Sequence, residues 1–492
     1  MVKKFYITTP IYYINDVPHI GHAYTTIAAD ILSRYYKAKG EEVFFLTGVD
    51  EHGAKIAEAA KKAGKEPKKF VDSLLPAFED TWKNLNIEYS EFFRTTNPAH
   101  EKIVQKLIDE LKNRGFIEKR KYEGLYCVAC ERFLQPNELV DGKCPDHGSK
   151  PEKHCEANYF FLLSKFEKNL LEAIEMGDYQ ILPESRKNEV IGKIKAGLED
   201  VSISRQEVEW GIPFPGDETQ TIYVWIDALI NYFSEEIIYQ NQKSKIKNQN
   251  DRGHFVDGLF DKNSDYQLFP PDIQLMAKDI LWFHAIVWPA MLLALDLPLP
   301  RRIFAHGFFT VSGQKMSKTR GNVLDPNKLV QKFGADAIRY ALLREFPFGE
   351  DGDISEEKIA ERYQSELSNE LGNLLQRTIA MVNRYEIKNQ RSKIKMTDRN
   401  IKIDKLIEEL KFDQALEVVN QEVTRLNQYI DQNKPWELAK RDKEKLTEVL
   451  TSVFQSISSL VFPLSSFMPE TAAKMKKQLE TLKPEPLFPR IG

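Results

Sequence analysis

The first forty residues alternate apolar and polar positions in the order of a strand followed by a helix. The segment KKFYITT at 3–9 is rich in β-branched and aromatic residues, which predicts a buried strand. A loop that contains Pro10 and Pro18 follows it. Apolar residues then recur at helical spacing through 20–35, and Gly40 predicts the end of that helix.

A second apolar run, EEVFFLTGVDEHG at 41–53, predicts a strand that ends in polar groups. Strand, helix and strand in this order are typical of a parallel βαβ unit. Ligands of such units bind where the strands meet the following loops and helix starts. The polar clusters PHIGH at 18–22 and VDEHG at 49–53 both follow strands, so we expect them at one ligand-binding edge.

The α/β pattern is interrupted in the middle of the chain. The range 115–225 has closely spaced cysteines, turn residues and short strand signals, which predict an inserted module. Strand and helix patterns return at 272–293, and 301–309 predicts one further strand. Between them, the polar segment NQKSKIKNQN at 241–250 predicts a surface excursion.

Glycine almost disappears from the last part of the chain. After Lys358 only Gly372 and Gly492 remain, although the chain holds 24 glycines. Apolar residues recur alternately four and three positions apart in one segment, namely Val419, Val423, Leu426 and Ile430. This spacing predicts an amphipathic helix, and we expect a helix bundle with a long loop at 386–400.

Together these patterns predict a doubly wound, parallel-sheet (Rossmann-like) α/β domain that is split by an insert and followed by an α-helical bundle. A chain of 492 residues is long enough for several domains of ~100–200 residues each. The predicted units are the first half of the nucleotide-binding catalytic domain, the insert, the second half and the helical domain, at 1–114, 115–225, 226–350 and 351–492.

Composition and charge exclude several classes of protein. The longest apolar run, at 285–300, is interrupted by Pro289, Asp296 and Pro298 and is shorter than the ~20 residues of a membrane span. The N-terminus has no apolar secretory core, so we expect a cytoplasmic location, where the cysteines do not form a disulfide framework. With a net charge of -4, the protein lacks the positive electrostatic field of a non-specific nucleic-acid binder. Any contact with a polyanion therefore has to be local.

The motif HIGH places His19 and His22 at the start of the first predicted helix. Unpaired N–H groups and the positive end of the helix dipole favour phosphate there, by ~0.3–1 kcal/mol at exposed sites. Imidazoles can add hydrogen bonds that strengthen in a transition state, and Gly21 lets a nucleotide lie against the backbone. Taken alone, a match of four residues favours the alternative of two capping or core histidines.

The segment KMSKTRGN at 315–322 gathers cations, hydroxyls and glycine after the last predicted strand. Taken alone, it is typical of a solvated charged face. Combined with HIGH in one split fold, it resembles the second signature of the class I aminoacyl-tRNA synthetases, KMSKS, with Thr319 in place of the last serine. The resemblance implies that the catalytic groups are His19, His22, Lys315 and Lys318, and that ATP, accompanied by Mg²⁺, also contacts Gly21 and Ser317.

Five further segments narrow the resemblance to the methionyl-tRNA synthetase family: TTPIYYINDVPHIGHAY, LTGVDEHGAKI, YVWIDALINY, KDILWFHAIVWPAML and NVLDPNKLV. The resemblance implies a methionine pocket formed by Ile11, Tyr13, Asp50, Trp225, Ala228, Tyr232, Ile280 and His284. Asp50 can pair with the ammonium group, aromatic faces suit a thioether, and a Tyr or His donor can approach the sulfur. Without these segments, Trp225 and Tyr232 are better explained as core aromatics. Near this pocket, Leu229 stands where some members of the family have proline, and Ala277 stands where glycine is common.

The predicted insert contains a metal-ligand pattern. The candidate ligands, in CVAC and CPDH, are Cys127, Cys130, Cys144 and His147. Two short chelating turns give four ligands for one tetrahedral zinc ion in a closed structural site. A thioredoxin-like redox pair would need a βαβ context that this segment lacks. Cys155 is expected to be a spare thiol, with replacement of a ligand by Cys155 or His154 left open. The family resemblance implies a zinc knuckle near the tRNA acceptor end and no hydrolytic editing domain.

The helical region offers donors and an aromatic plane. NLLQR places Asn373 and Arg377 one turn apart on one helix face, and QNKPWELAK places Trp436 after Pro435 at a predicted helix start. Such a combination can stack and read a splayed base. On the sequence alone, a packed tryptophan and a surface arginine are the better explanation. The resemblance implies instead that these positions recognise the CAU anticodon.

The resemblance implies a two-step reaction. The carboxylate of L-methionine attacks the α-phosphorus of ATP and releases pyrophosphate, and the methionyl group then passes to the terminal adenosine of tRNA(Met). The alternatives are another class I synthetase, a small-molecule nucleotidyltransferase, which needs no anticodon-type domain, and a non-catalytic zinc-containing RNA-binding protein, which leaves both signatures unexplained. The sequence has no appended C-terminal tRNA-binding domain of the kind that dimerises some relatives, so a monomer is expected.

Overall fold

The computed structural model describes residues 3–127, 132–134, 139–145, 148–206, 208–247, 267–315, 323–387 and 400–490. Its first part alternates strands and helices as β1 (Lys4–Tyr13), α1 (Ile20–Ala38), β2 (Glu42–Asp50), α2 (Ala54–Lys62), α3 (Pro67–Asn84), β3 (Glu91–Arg94) and α4 (Pro98–Asn113). The predicted βαβ unit is confirmed, because β1 and β2 pair in parallel. Helix α1 stops just before Gly40, whose φ of 87° suits glycine.

Strand β1 continues past its predicted end, through Pro10, to Tyr13. Proline has no N–H group to donate to a strand ladder. The register of β1 against β2 shifts between Thr8 and Ile11, which takes the proline out of regular pairing. The extension places Tyr13 opposite Asp50 at the ends of the two strands.

The middle of the chain consists mainly of short strands. They and their helices are β4 (Ile117–Cys127), β5 (Arg132–Leu134), β6 (Glu152–Phe161), a 3-10 turn (Leu163–Phe166), α5 (Glu167–Met176), β7 (Gln180–Leu182), α6 (Glu184–Lys195), β8 (Val201–Ser202), β9 (Ser204–Arg205), β10 (Pro213–Phe214) and β11 (Asp217–Ile222). Strands β5, β4, β6 and β8 form one antiparallel sheet in that order, and β10, β11 and β9 form another.

The α/β pattern then resumes as predicted. The elements are α7 (Val224–Lys247), β12 (Ile273–Ala277), a 3-10 turn (Lys278–Ile280), a π-helical segment (Phe283–Val287), α8 (Trp288–Ala294), β13 (Arg302–His306), β14 (Phe309–Val311), β15 (Gln314–Lys315), α9 (Pro326–Phe333), α10 (Ala335–Arg344) and β16 (Gly352–Ile354). Strands β15, β14 and β16 form a small separate sheet.

The polar segment 241–250, predicted as a surface excursion, is helical in its described part: it continues helix α7 as far as Lys247, and 248–250 lie outside the described residues. The segment contains no glycine or proline, and its Gln and Lys residues have good helix propensity. Polarity alone does not distinguish the end of a helix from a loop.

The predicted strand at 301–309 is two strands in different sheets. Gly307 separates β13 from β14. A Cβ atom at this position would lie only 2.3 Å from the carbonyl carbon of Glu350. Glycine therefore lets the chain leave the central sheet and pass against the Glu350 backbone.

The central sheet has the order β3-β2-β1-β12-β13-β7, and all its neighbouring strands are parallel. This confirms the predicted α/β fold with a parallel sheet. Strand β7 comes from within 115–225, yet it pairs with β13, with Ile181 opposite Ile303. The range predicted as an insert therefore supplies one edge strand of the central sheet.

The C-terminal part is helical, as predicted. Its elements are α11 (Glu356–Arg362), a π-helical segment (Tyr363–Gly372), α12 (Asn373–Arg384), α13 (Ile401–Glu408), α14 (Phe412–Asn433), α15 (Pro435–Arg441), α16 (Lys443–Phe467) and α17 (Pro469–Thr481). The predicted apolar stripe is buried on α14, at Val419, Val423, Leu426 and Ile430. Most of the loop predicted at 386–400, namely 388–399, lies outside the described residues.

Helix α16 is long and apolar enough to cross a membrane by length and composition, with a mean hydropathy of 1.3. However, 61% of its apolar window is buried inside the protein. Its buried residues belong to a hydrophobic core that also contains apolar residues of α1, β1 and β2. The helix therefore packs as part of a protein core, and that core connects the first βαβ unit with the helical part.

Candidate active site

The two histidines of HIGH cap the start of α1, because the side chain of each accepts a hydrogen bond from a nearby backbone N–H. His19 is the N-cap residue, and its Nδ1 accepts a hydrogen bond from the N–H of Gly21 at 3.1 Å. The N–H of His19 donates to Nδ1 of His22 at 3.2 Å. The two rings are stacked with their centroids 3.8 Å apart. The capping role, which the sequence left open as an alternative, is therefore present in the structure.

These bonds fix the chemistry of both imidazoles. Each Nδ1 accepts an N–H, so in the neutral form each ring carries its proton on Nε2. Both Nε2 atoms are then hydrogen-bond donors, which is the polarity that a phosphate oxygen requires. The capping and the proposed phosphate contacts use different nitrogen atoms, so one role does not exclude the other.

The expected unpaired N–H groups at this helix start are engaged within the protein. The N–H of Ile20 donates to the carbonyl oxygen of Leu324 at 3.2 Å, and that of Ala23 donates to His19 at 3.2 Å. The N–H of His22 also donates to the His19 carbonyl, at 3.0 Å. An anion at this end would therefore meet the imidazole donors and the helix dipole, and this corrects the expectation of unpaired backbone donors.

The chain contacts α1 at His306, before the lysine segment, and at Leu324, after it. Thr25 Oγ1 is 2.6 Å from His306 Nε2, and this contact joins α1 to the end of β13. Strands β14 and β15 come next in the chain and lead into the lysine segment. Leu324, the partner of Ile20, stands just beyond the segment. Of the residues expected to bind ATP, Ser317 and Lys318 lie outside the described residues, as does the side chain of Lys315.

A carboxylate holds the turn that leads into this segment. Oδ1 of Asp353, in β16, accepts hydrogen bonds from the N–H of Gly313 at 2.6 Å and from Thr310 Oγ1 at 2.7 Å. These hydrogen bonds keep the pKa of Asp353 below its ordinary value. Lys358 of α11 lies 3.3 Å from the other carboxylate oxygen. The β14–β15 turn is therefore tied to the strand that leads into the helical part.

The residues expected around methionine come from β1, β2, α7 and the chain after β12. Tyr13 and Asp50 are opposite each other in strand register, and Asp50 is 7% exposed. Trp225 stacks on Phe283 with centroids 4.4 Å apart and planes at 4°. The partly buried members are Ile11, Tyr13, Trp225 and Ile280, and the buried ones are Asp50, Ala228, Tyr232 and His284.

Tyr232 and His284 form a neutral hydrogen-bonded pair. His284 Nδ1 can only donate to the Ile280 carbonyl oxygen, at 3.0 Å, so its Nε2 accepts from the Tyr232 hydroxyl at 2.8 Å. Burial lowers the pKa of His284 to about 4 and raises that of Tyr232. Both donor hydrogens are used within the protein, so this arrangement does not offer the sulfur the donor that the sequence suggested.

Several residues of this region were not predicted. Phe283 stacks on Trp225, while Asp227 accepts hydrogen bonds from His52 and His100. His52 belongs to the VDEHG cluster, and Asp227 lies within YVWIDALINY, so both had a signal in the sequence. His100 had none, because its partner is 127 residues away.

The two departures from the family pattern have different positions. Leu229 is 1% exposed and belongs to the core behind α7. Ala277 is the last residue of β12. A leucine at 229 is therefore accommodated by core packing, and Ala277 lies at the strand end from which the Lys278–Ile280 turn begins.

Two of the four expected zinc ligands are described. Cys127, at the end of β4, and Cys144 are each 1% exposed and pack with Leu134 in one small buried cluster. The N–H of Cys144 donates to the Ser149 carbonyl at 2.8 Å, and that of Gly148 donates to Cys144 at 2.8 Å, which forms a tight turn. Within the described ranges no third Cys, His, Asp or Glu joins them in a metal-sized group. Cys130 and His147 lie outside the described residues, as do the side chains of His154 and Cys155.

The expected anticodon residues lie at one end of the helical part. Arg377 Nη2 is 2.8 Å from Asp431 Oδ1, which joins α12 to the last turns of α14. Helix α15 starts immediately afterwards and carries Trp436, which is 43% exposed. Asn373 is exposed at the start of α12. The alternative of a packed tryptophan is therefore wrong, whereas the arginine does form a surface ion pair.

Comparison with known proteins identifies the class. The sequence matches the family described as "tRNA synthetases class I (M)" over residues 5–150 and 135–379. This agrees with the parallel sheet and the HIGH helix described above, and with the KMSKTRGN motif of the sequence.

The curated relatives and solved structures agree with this match. The methionine--tRNA ligase of Caldanaerobacter subterraneus subsp. tengcongensis is 44% identical, over 97% of this chain and 74% of the relative. That of Rickettsia bellii is 40% identical, over 100% of this chain and 96% of the relative. The structure of Mycobacterium tuberculosis methionyl-tRNA synthetase in complex with methionyl-adenylate has a TM-score of 0.87 and 33% identity, over 99% of this chain and 100% of that one. The chain therefore belongs to the methionyl-tRNA synthetase family of class I ligases.

Proposed function

We propose that the chain activates L-methionine with ATP to methionyl-adenylate and pyrophosphate, and then transfers the methionyl group to the 3′-terminal adenosine of tRNA(Met). One observation carries the proposal: the HIGH histidines hold Nε2 donors at the head of a helix whose first N–H is bonded to Leu324, just beyond the lysine segment. Leu324 therefore ties the chain just after the cation-rich segment to the helix start that carries the imidazole donors. Membership in the family supports the same reaction.

In the first step, an oxygen of the methionine carboxylate attacks the α-phosphorus of ATP, and the bond to the departing pyrophosphate breaks. His19 and His22 donate to phosphate oxygens from Nε2, and Lys315 and Lys318 neutralise charge on pyrophosphate. Gly21 and Ser317 contact the nucleotide, whose Mg²⁺ also shields the phosphate charge.

Such a transfer leaves little covalent chemistry to the protein, so positioning and charge stabilisation supply most of the rate. One preorganised donor typically contributes ~3–4 kcal/mol, whereas enzymes usually lower the barrier by at least ~8 kcal/mol. The histidines and lysines must therefore act together.

The methionine pocket selects by charge and shape. Asp50, at the end of β2, pairs with the substrate ammonium group. Trp225 and Phe283 provide stacked aromatic faces for the thioether side chain. The Tyr232–His284 pair is neutral, because burial keeps the pKa of His284 at about 4. A side chain that is apolar and polarizable can pack against this neutral pair without desolvating a charge on it.

We propose one structural zinc ion, held by Cys127, Cys130, Cys144 and His147. The support is the donor set and the burial of the two described cysteines in one cluster that has a tight turn at Cys144. Held by these four residues, a zinc ion would supply folding stability and would take part in neither reaction step. Metal analysis of the purified protein should find about one zinc per chain, falling in a Cys144→Ser variant. Protein without zinc would contradict the assignment.

The tRNA is proposed to contact the helical part through Asn373, Arg377 and Trp436. The exposed Trp436 ring is available for stacking on an anticodon base, and the arginine and asparagine can donate to base edges. We also propose that the enzyme acts as a monomer in the cytoplasm. Analytical ultracentrifugation at micromolar concentration would test the oligomeric state. A monomer should sediment as a single species with the mass of one chain.

Exchange of labelled pyrophosphate into ATP tests the first step. The purified protein, incubated with ATP and Mg²⁺, should catalyse exchange that depends on L-methionine. Leucine, isoleucine and valine serve as matched competitors, because they are the substrates of other class I synthetases. Exchange that depended on one of these amino acids instead of methionine would show that the chain is a different class I synthetase. A protein that binds tRNA without any exchange would support a non-catalytic role.

A further inference from the structure

A buried carboxylate behind the methionine pocket binds two histidines. Asp227 Oδ2 is 2.7 Å from His52 Nδ1, and Asp227 Oδ1 is 2.7 Å from His100 Nε2. The exposed fractions of Asp227, His52 and His100 are 1%, 4% and 0%. Burial alone would lower the pKa of His52 and raise that of Asp227, but their mutual attraction outweighs it and shifts both the other way. Both shifts favour the charged forms within this buried hydrogen-bonded pair.

His100 adds a second attachment to the same helix. Its Nδ1 is 2.7 Å from Ser234 Oγ, two turns further along α7 than Asp227. The imidazole thus binds α7 at two points on one face, while His52 binds it at one. Because Asp227 uses one carboxylate oxygen for each imidazole, both contacts depend on its position.

The loop that carries His52 is itself fixed. The side-chain carboxylate of the neighbouring Glu51 lies 2.6 Å from Arg94 Nη2. The backbone carbonyl oxygen of Glu51 accepts a hydrogen bond from Trp210 Nε1 at 2.5 Å. The N–H of Gly53 donates to the Trp210 carbonyl at 2.9 Å. The residues before and after His52 are therefore both fixed by hydrogen bonds or ion pairs. Because its backbone is held in this way, His52 can serve as a rigid anchor.

The anchor connects the two elements that carry opposite parts of the pocket. His52 stands two residues after Asp50, and Asp227 stands two residues after Trp225. We propose that Asp227, through its bond to His52, is a positioning residue that sets the distance between the ammonium-binding Asp50 and the stacked Trp225. This inference rests on the proposed methionine pocket and adds a determinant of methionine affinity that contacts no substrate atom.

The test measures steady-state pyrophosphate exchange with His52 variants. His52→Ala removes the bond, and the KM for methionine should rise by about tenfold to a hundredfold, because small misplacements of binding groups are costly. The KM for ATP should change by less than about threefold, since the HIGH helix is untouched. His52→Asn keeps an N–H near the Nδ1 position and should restore most of the methionine affinity.

Ser234→Ala is the matched control, because it removes a bond of the same network but leaves both contacts of Asp227 in place. Its KM for methionine should stay within about twofold of the parent. If His52→Ala does not fold, His52→Leu makes the same test, because its side chain fills more of the space but cannot donate to Asp227; it should raise the same KM.

The parent protein separates this inference from the proposed function. No methionine-dependent exchange by the parent would overturn the proposed function. A parent that exchanges normally, together with a folded His52→Ala variant of unchanged methionine KM, would overturn the positioning role alone. Equal rises in the KM values for methionine and ATP would also overturn it, because they would indicate a general loss of structure.

Discussion

Arg339 Nη2 lies 2.7 Å from Asp30 Oδ2, and neither side chain is exposed. The same guanidinium donates to the carbonyl oxygens of Phe467 at 2.8 Å and Ser466 at 3.0 Å, at the end of α16. Asp30 belongs to α1, the helix that begins with HIGH. A single buried arginine therefore ties the candidate ATP-binding helix to the helical part.

Replacing Asp30 by asparagine should destabilise the protein by roughly 3–5 kcal/mol, because the buried Arg339 charge loses its closest ionised partner. Urea unfolding followed by circular dichroism measures the change. Glu58→Gln is the control, since its ion pair with Lys62 is exposed on α2 and should have no measurable effect. Equal stability of the two variants would show that the buried pair contributes little.

His22→Asn should separate capping from catalysis. The asparagine carbonyl can still accept the His19 N–H, as Nδ1 of His22 does, but the Nε2 donor is lost. We expect near-normal stability together with exchange slowed by about a hundredfold to a thousandfold, the usual loss for one preorganised donor. His22→Ala, which loses both functions, should be equally slow and also less stable. Normal exchange by the asparagine variant would exclude the phosphate role.

Acid should weaken the fold through two buried histidines. Burial lowers the pKa of His284 and of His306 from 6.5 to about 4, so the unfolded chain binds protons more readily than the folded one below pH 6.5. Stability present above pH 6.5 is lost as the pH falls towards 4, by roughly 2 kcal/mol for each histidine at pH 5.

His306→Asn tests this effect, because asparagine does not titrate and retains a donor for the Gly307 carbonyl, which His306 Nδ1 approaches to 2.8 Å. The free energy of unfolding in urea should be measured for parent and variant at pH 7.5, 6 and 5. It should fall less between pH 7.5 and pH 5 in the variant than in the parent. Comparing the two chains cancels the contribution of every other titrating group. Parallel losses would contradict the assignment of a neutral His306.

Trp436→Ala should weaken tRNA recognition and leave activation intact. Stacking on an aromatic side chain contributes about 1–3 kcal/mol per base, so the KM for tRNA(Met) in aminoacylation should rise by about fivefold to a hundredfold. Pyrophosphate exchange without tRNA should be unchanged, because the ring lies in the helical part. Trp82→Phe, a change in a fully buried side chain, serves as a control for loss of a tryptophan. An unchanged KM for tRNA would remove Trp436 from the recognition surface.

Local patterns determined much of the fold. The spacing of apolar residues in 20–35 and from Val419 to Ile430 identified helices α1 and α14, because a helix buries one face every three or four residues. The polar clusters HIGH and VDEHG were correctly placed after parallel strands, since that connection is short and local. The extension of β1 through Pro10 and of α7 to Lys247 was missed, because polarity and proline are weak boundary signals.

Other features depended on contacts between distant parts of the chain. Strand β7 joins the central sheet although it lies within an apparently separate module, and the Ile20 N–H finds its acceptor at Leu324. Asp227 meets His52 across 175 residues of sequence. Periodicity and motifs report only which face of an element is apolar or which residues stand near a helix start. Which distant groups meet is decided when the layers pack, because a buried polar group must find its hydrogen-bond partner wherever the fold brings one within reach.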